Sequence, residues 1–189
     1  MSKILPSVFF LILGSSLSPV QANESSDWYV GGAYSAQEIS TNDYKLLGAS
    51  LGYQFNEHLA LEMRALKGIS GEQFSGDFSH KIKHQASLSL KGSYPLSSSV
   101  DIYGLVGWTT SEVRAAGYAI ILVDENNVTL VEPYVQTDTE NGYSFGAGLE
   151  YKLNANISLY SEFQFLPDAD HISNSENWKS ISLGFNYHF

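Results

Sequence analysis

The sequence predicts an all-β protein: an eight-stranded, antiparallel, up-and-down barrel that crosses a membrane with its strands. Three observations carry this prediction. Apolar residues recur at every second position through eight stretches, which is the period of a strand and not of a helix. Beyond the N-terminal region no stretch offers eighteen unbroken apolar residues, so no helical span is expected. The connections between stretches alternate between long and short, as in a barrel with tight turns on one side of a bilayer and loops on the other.

The first element is an address. Lys3, an apolar core over residues 8–13, and Val20-Gln21-Ala22 with small residues at −3 and −1 form an expected secretory signal peptide, residues 1–22. Cleavage after Ala22 leaves residues 23–189 as one barrel domain.

The eight strands are expected over residues 28–37, 44–55, 59–67, 82–94, 100–112, 142–153, 157–166 and 178–189. The first and fifth carry aromatics on both faces, so their register stays open. In the second, Leu47, Ala49, Leu51, Tyr53 and Phe55 alternate with Gly48, Ser50, Gly52 and Gln54. In the third, Leu59, Leu61 and Met63 alternate with Ala60, Glu62 and Arg64. The fourth sets Ala86, Leu88 and Leu90 against Gln85, Ser87, Ser89 and Lys91. The sixth sets Phe145, Ala147, Leu149 and Tyr151 against Ser144, Gly146, Gly148, Glu150 and Lys152. The seventh sets Ile157, Leu159 and Phe163 against Ser158, Tyr160 and Glu162. The eighth runs its apolar row, Ile181, Leu183, Phe185, Tyr187 and Phe189, to the last residue.

Nothing in the chain offers to cover eight apolar faces in water, since no amphipathic helix is present in the pattern. Lipid is the expected cover, and closure then pairs every backbone polar group. Tyr53, Phe55, Tyr94, Tyr151, Tyr187 and Phe189 fall near the short-turn ends, where an aromatic girdle is expected. The short turns are Asn56-Glu57-His58, residues 95–99 and Asn154-Ala155-Asn156; the long connections are 38–43, 68–81, 113–141 and 167–177.

Composition narrows the function. Twenty acidic residues against ten basic ones give a net charge of −10, which speaks against a nucleic-acid partner. There is no cysteine, so neither disulfides nor thiolate metal sites hold the fold. His80 and His84 sit at a strand entrance rather than on a helix, and no metal site or cofactor is predicted.

The inward rows hold Glu62, Arg64, Lys91, Glu150, Lys152 and Glu162. The interior of an eight-stranded barrel is just wide enough for side chains to fill. A charge network that plugs the lumen is therefore expected, with Glu62, Glu150 and Glu162 opposed to Arg64 and Lys91. A narrow pore is the alternative.

The stretches LGYQFNEHLALEM, GAGLEYKLNANISLYSEF and SISLGFNYHF resemble the small outer-membrane β-barrel family, which includes the OmpA transmembrane domain and OmpX/Ail-like proteins. The resemblance implies a porin-family protein of a Gram-negative cell outer membrane, non-enzymatic, with a role in envelope integrity or in adhesion through outer loops. It implies contact with outer-membrane lipid and lipopolysaccharide. It also implies that Leu183, Phe185, Tyr187 and Phe189 form the signal read by the barrel assembly machinery.

Two loops remain. Residues 119–123 and 128–131, around Asp124-Glu125-Asn126-Asn127, form an expected hairpin. It is expected to extend strands five and six above the bilayer, with two further membrane strands, making ten, as the alternative, and its edge is suited to a surface partner. In the last loop His171, Ser173 and Glu176 resemble the catalytic set of lipid A deacylase barrels, with Glu162 as a further orienting carboxylate. Their polar surroundings favour an ordinary loop, and no catalytic residue is predicted.

Overall fold

A computed structural model describes residues 27–39, 42–70, 72–74, 78–123, 129–167 and 178–189. The expected signal peptide and the loop with His171, Ser173 and Glu176 lie outside the described residues.

The strands are β1 (Trp28–Ile39), β2 (Asn42–Asn56), β3 (Leu59–Gly68), β4 (Glu72–Phe74), β5 (Phe78–Pro95), β6 (Val100–Val123), β7 (Thr129–Lys152), β8 (Ile157–Phe165) and β9 (Lys179–His188). All pairings are antiparallel, and β1 pairs with β9 to close the ring. Eight strands make the barrel; β4 pairs only with β5, beyond the ring, among the described residues.

The register sets the barrel's shape. A walk along paired residues runs from Trp28 through Tyr53, Leu61, Leu90, Val106, Phe145, Phe165 and Lys179. It returns to β1 at Glu38, ten residues from its start (38 − 28). With a rise of ~3.3 Å per residue and ~4.8 Å between strands, that stagger tilts the strands by roughly 40°. Each residue then climbs about 2.5 Å along the axis, so an apolar band of about 25 Å takes about ten residues per strand.

Burial alternates as the pattern requires, but inside out. In β8, Ile157, Leu159 and Phe163 face outward and are exposed, while Ser158, Tyr160, Glu162 and Gln164 are buried in the lumen. The open registers resolve the same way. Tyr29, Ala33, Ser35 and Gln37 of β1 and Tyr103, Leu105 and Thr109 of β6 point inward; Trp28, Val30, Tyr34, Val106 and Trp108 point outward.

The short turns are held by their own side chains. Asn56 Oδ1 accepts from the His58 amide at 2.8 Å, and Asn154 Oδ1 accepts from the Asn156 and Ile157 amides at 2.9 Å. Ser97 Oγ accepts from the Val100 amide at 3.1 Å. These local bonds let a strand reverse in three to five residues without outside support.

Three expectations need correction. The long connection over residues 113–141 is mostly strand: β6 and β7 are continuous from the barrel to Val123 and Thr129, which face each other. The expected hairpin that extends strands five and six is therefore present, and the ten-strand alternative falls. Second, the 38–43 connection shrinks, because β1 and β2 stay paired up to Ile39 and Asn42, and 68–81 holds the β4–β5 pairing. Beyond the bilayer the outward rows of β6 and β7 mix polar residues such as Arg114, Thr137 and Thr139 with Tyr118 and Val135, so lipid-facing alternation ends while backbone pairing goes on. Third, the inward face is not polar throughout, as described next.

Candidate functional site

The lumen is built from inward residues of all eight barrel strands, and it has two levels. Glu62 and Arg64 lie two apart on β3 and so share the inward face. Arg64 Nη2 donates to Glu62 Oε1 at 2.6 Å, and Arg64 Nη1 donates to Glu162 Oε1 at 2.8 Å. Glu162 sits on β8, which lies four strands from β3 in either direction around the ring. The Arg64–Glu162 pair is therefore a strut across the full diameter. Both side chains are almost wholly buried.

Tyrosines complete this ionic level. Tyr29 donates to Glu62 Oε2 at 3.0 Å, and Tyr103 donates to Glu162 Oε2 at 3.1 Å. The Arg64 guanidinium carbon lies 5.5 Å from the Tyr160 ring centre. Toward the short-turn end, Lys91 Nζ donates to Glu150 Oε2 at 2.6 Å and sits 4.0 Å from the Tyr103 ring centre. Glu150 also accepts from Ser158 Oγ and from Asn186 Nδ2, with His188 Nε2 at 3.8 Å. Three carboxylates thus face Arg64 and Lys91, with the His188 imidazole beside the third.

Each tyrosine lies over a glycine directly across on the neighbouring strand: Tyr29 over Gly52, Tyr103 over Gly148 and Tyr160 over Gly184. A Cβ on Gly148 would lie 2.5 Å from Tyr103 Cζ. The missing side chains make room for the three rings, and at Tyr29 and Tyr103 they let the hydroxyls reach the carboxylates.

Above the ions the lumen holds amides, hydroxyls and apolar side chains, with one buried carboxylate, Glu140, opposite Ser111. Gln37 Nε2 donates to Gln85 Oε1 at 2.8 Å, Gln85 Nε2 donates to Ser111 Oγ at 2.9 Å, and Trp178 Nε1 donates to Gln37 Oε1 at 3.0 Å. Around these bonds pack Ile39, Tyr44, Leu46, Leu66, Ile82, Val113, Leu166 and Trp178, all buried. This apolar plug was not expected from the sequence. Adjacent apolar pairs such as Leu46-Leu47 carry one residue for each face, which hides the inward member from a period-two reading.

Of the six expected lumen charges, five meet in the ionic level. Lys152 does not join them; it sits at the short-turn rim, 2.8 Å from Asp101. Asp101, Asn186, Tyr29 and Tyr103 were missed, while Ser158 and Tyr160 were placed on the inward row but given no part in the network. The inward glycines opposite Tyr29, Tyr103 and Tyr160 were a usable sign of large side chains lying across the lumen. Leu183, Phe185, Tyr187 and Phe189 are exposed along the outer face of β9, the strand that closes on β1. Among the described residues no group of three or more His, Asp or Glu is placed to hold a metal ion. Glu162, the carboxylate offered to a catalytic set, is committed to Arg64 and Tyr103.

Comparison with known proteins agrees with the architecture. The structure is similar to neisserial surface protein A (TM-score 0.54, 20% identity, covering 88% of this chain and 100% of that one). It is also similar to Ail, the attachment invasion locus protein of Yersinia pestis (TM-score 0.52, 15% identity, 87% and 98%), and to OprG of Pseudomonas aeruginosa (TM-score 0.51, 14% identity, 90% and 99%). No curated protein matches the chain by sequence. Residues 7–189 match the outer membrane protein beta-barrel domain, and the chain belongs to that family.

Proposed function

We propose that this protein is a closed, non-conducting barrel of the outer membrane whose working part is the β6–β7 ribbon, a surface for binding another protein. The observation that carries the reading is an open strand edge. β7 pairs with β8 only over Phe145–Lys152, so among the described residues nothing pairs with its outer edge from Thr129 to Ser144. The other strand of the ribbon is backed by β5 as far as Ala116. About fourteen residues of each strand exceed what the bilayer needs, which lifts the ribbon by up to roughly 35 Å.

An exposed edge is a template for strand addition, in which backbone bonds supply affinity and flanking side chains supply choice. Tyr134 and Val135 are exposed there. Pro133 supplies no N–H, which limits indiscriminate edge-to-edge pairing. The partner is an extended segment of a second surface protein. In this reading residues 1–22 direct export, the outward row of β9 ending at Phe189 serves assembly, and the lumen only holds the scaffold rigid.

Photo-crosslinkers at Val135 and Thr137 in the native outer membrane are expected to give discrete protein adducts, and one at lumen-facing Ser144 none. Equal labelling at all three positions overturns the proposal. Single-channel recordings are expected to show no steady conductance, and lipid A from expressing cells is expected to keep all its acyl chains.

A further inference from the structure

The β6–β7 ribbon has two unlike faces. Beyond the barrel, Glu132, Tyr134, Gln136 and Asp138 of β7 share one face, because residues two apart on a strand point the same way. Pro133, Val135, Thr137 and Thr139 share the other. The register gives each set its neighbours on β6. Across from the first stand Ala119, Gly117, Ala115 and Val113; across from the second stand Tyr118, Ala116, Arg114 and Glu112.

Charge is divided between the faces in the same way. Residues 113–144 hold five acidic residues and one basic residue, Arg114. Arg114 lies on the second face of the ribbon, so the first has carboxylates and no Lys or Arg. Glu132 and Asp138 make no ion pair among the described residues. The Tyr134 hydroxyl donates to Gln136 Oε1, and Gln136 Nε2 donates to Asp138 Oδ2 at 2.8 Å. Both bonds run toward Asp138, which orders the three side chains along the edge and leaves carboxylate oxygens as the strongest acceptors of the row.

This row flanks the open edge of β7, where every second residue turns its N–H and C=O away from β6. A strand added there sets its side chains alternately beside the acidic row and beside Pro133, Val135 and Thr137. We infer that the occupant of this edge is an extended protein segment with Lys or Arg at every second position and small or β-branched residues between. The inference rests on the strand-addition reading of the edge and adds the chemistry of the partner. A slide of two residues keeps the basic row against the carboxylates, whereas a slide of one turns it to the side of Arg114. Alternation, and not net charge alone, is therefore what the edge selects. Two other occupants carry the wrong sign. Residues 168–177 contain Asp168, Asp170 and Glu176 and no Lys or Arg. The β7 edge of a second copy would set like charges side by side. The net charge of −10 also draws a basic segment in from a distance.

The test uses the folded full-length barrel in lipid nanodiscs and fluorescence anisotropy with synthetic peptides matched to the length of the edge. A peptide that alternates Lys with Thr and Val is expected to bind at least roughly tenfold more tightly than one with Glu in place of each Lys, the scale of a few cross-strand charge pairs. Two further peptides keep the charge: one groups the same lysines at one end, and one alternates them but is N-methylated along its backbone. Both are expected to lose most of the binding, the first for want of the pattern and the second for want of N–H donors. The variant Glu132→Gln, Asp138→Asn is expected to lose most of the preference for Lys over Glu, and heat-modifiable gel mobility confirms that it is folded. Equal binding of the alternating Lys and Glu peptides overturns the inference but leaves strand addition standing where the Val135 and Thr137 adducts are found. Equal binding of the alternating and grouped Lys peptides, or no binding by any of them, overturns it as well. Absence of the native adducts overturns the strand-addition reading, and this inference with it.

Discussion

At the level of Arg64 the barrel is filled by a network of ions; two residues further along β3, at Leu66, it is filled mainly by hydrocarbon and amides, with Glu140 as the buried carboxylate. Both levels close the same tube, but they answer to different physics. Apolar packing is non-directional and needs only the right volume, so the plug of Leu46, Leu66, Ile82 and Trp178 adjusts to modest changes of shape. A buried ion pair is directional and unforgiving. Its desolvation is repaid only with good geometry and with the remaining hydrogen bonds satisfied, as Tyr29 and Tyr103 do for Glu62 and Glu162. The ionic level therefore carries the information about register, because only one alignment of β3 and β8 brings Arg64 to Glu162.

The largest effect is expected from breaking the strut. Arg64→Ala leaves two buried carboxylates without their cation and should lower stability by about 3–5 kcal/mol in urea unfolding from lipid vesicles. Removing Glu62 together with Arg64 should cost less than the sum of the two single changes, because the partners vanish together. Strict additivity would mean that water already screens the pair.

The apolar level is expected to respond to volume. Leu46→Ala should cost about 2–4 kcal/mol, whereas the near-isosteric Leu46→Met should stay below about 1.5 kcal/mol in the same assay. Arg64→Lys, equally conservative on paper, should be worse tolerated than Leu46→Met, since an ammonium cannot bridge two carboxylates as the guanidinium fork does. The reverse order would erase the distinction between the two levels.

Gly148→Ala tests the ionic level from its edge. The added methyl meets the Tyr103 ring and the Ser161 carbonyl, and a loss of about 1–3 kcal/mol is expected from overpacking. The smallest effect compares inside with outside. Leu46 and lipid-facing Leu88 lose the same atoms on truncation, but lipid fills the gap at Leu88 and nothing fills it at Leu46. Leu46→Ala should therefore exceed Leu88→Ala by about 1–2 kcal/mol, the cavity contribution alone. Equal losses would show that the plug relaxes as freely as lipid.

Much of this was legible in the chain. The outward rows of β2, β3, β8 and β9 are plain alternations, because lipid demands an apolar side chain at every second position. Glu62, Arg64, Lys91, Glu150 and Glu162 could be placed on inward faces by parity alone. The ribbon was harder: outside the bilayer both faces of β6 and β7 meet water or the barrel mouth, so their sequence loses its period although their backbone pairing continues.

By itself the sequence determined the strand count, the lipid-facing side of every barrel strand but the first and fifth, and the tight turns at Asn56, Ser97 and Asn154, because these depend on neighbours along the chain. Only the tertiary structure decided the ten-residue stagger, and with it which residues share a level. That stagger set Arg64 across the diameter from Glu162, laid Tyr103 over Gly148, and through the bulge beside Lys83 turned Lys81 to face Arg114. Parity along one strand says which way a side chain points. Its height against seven other strands is a property of the closed ring, where every register must agree at once.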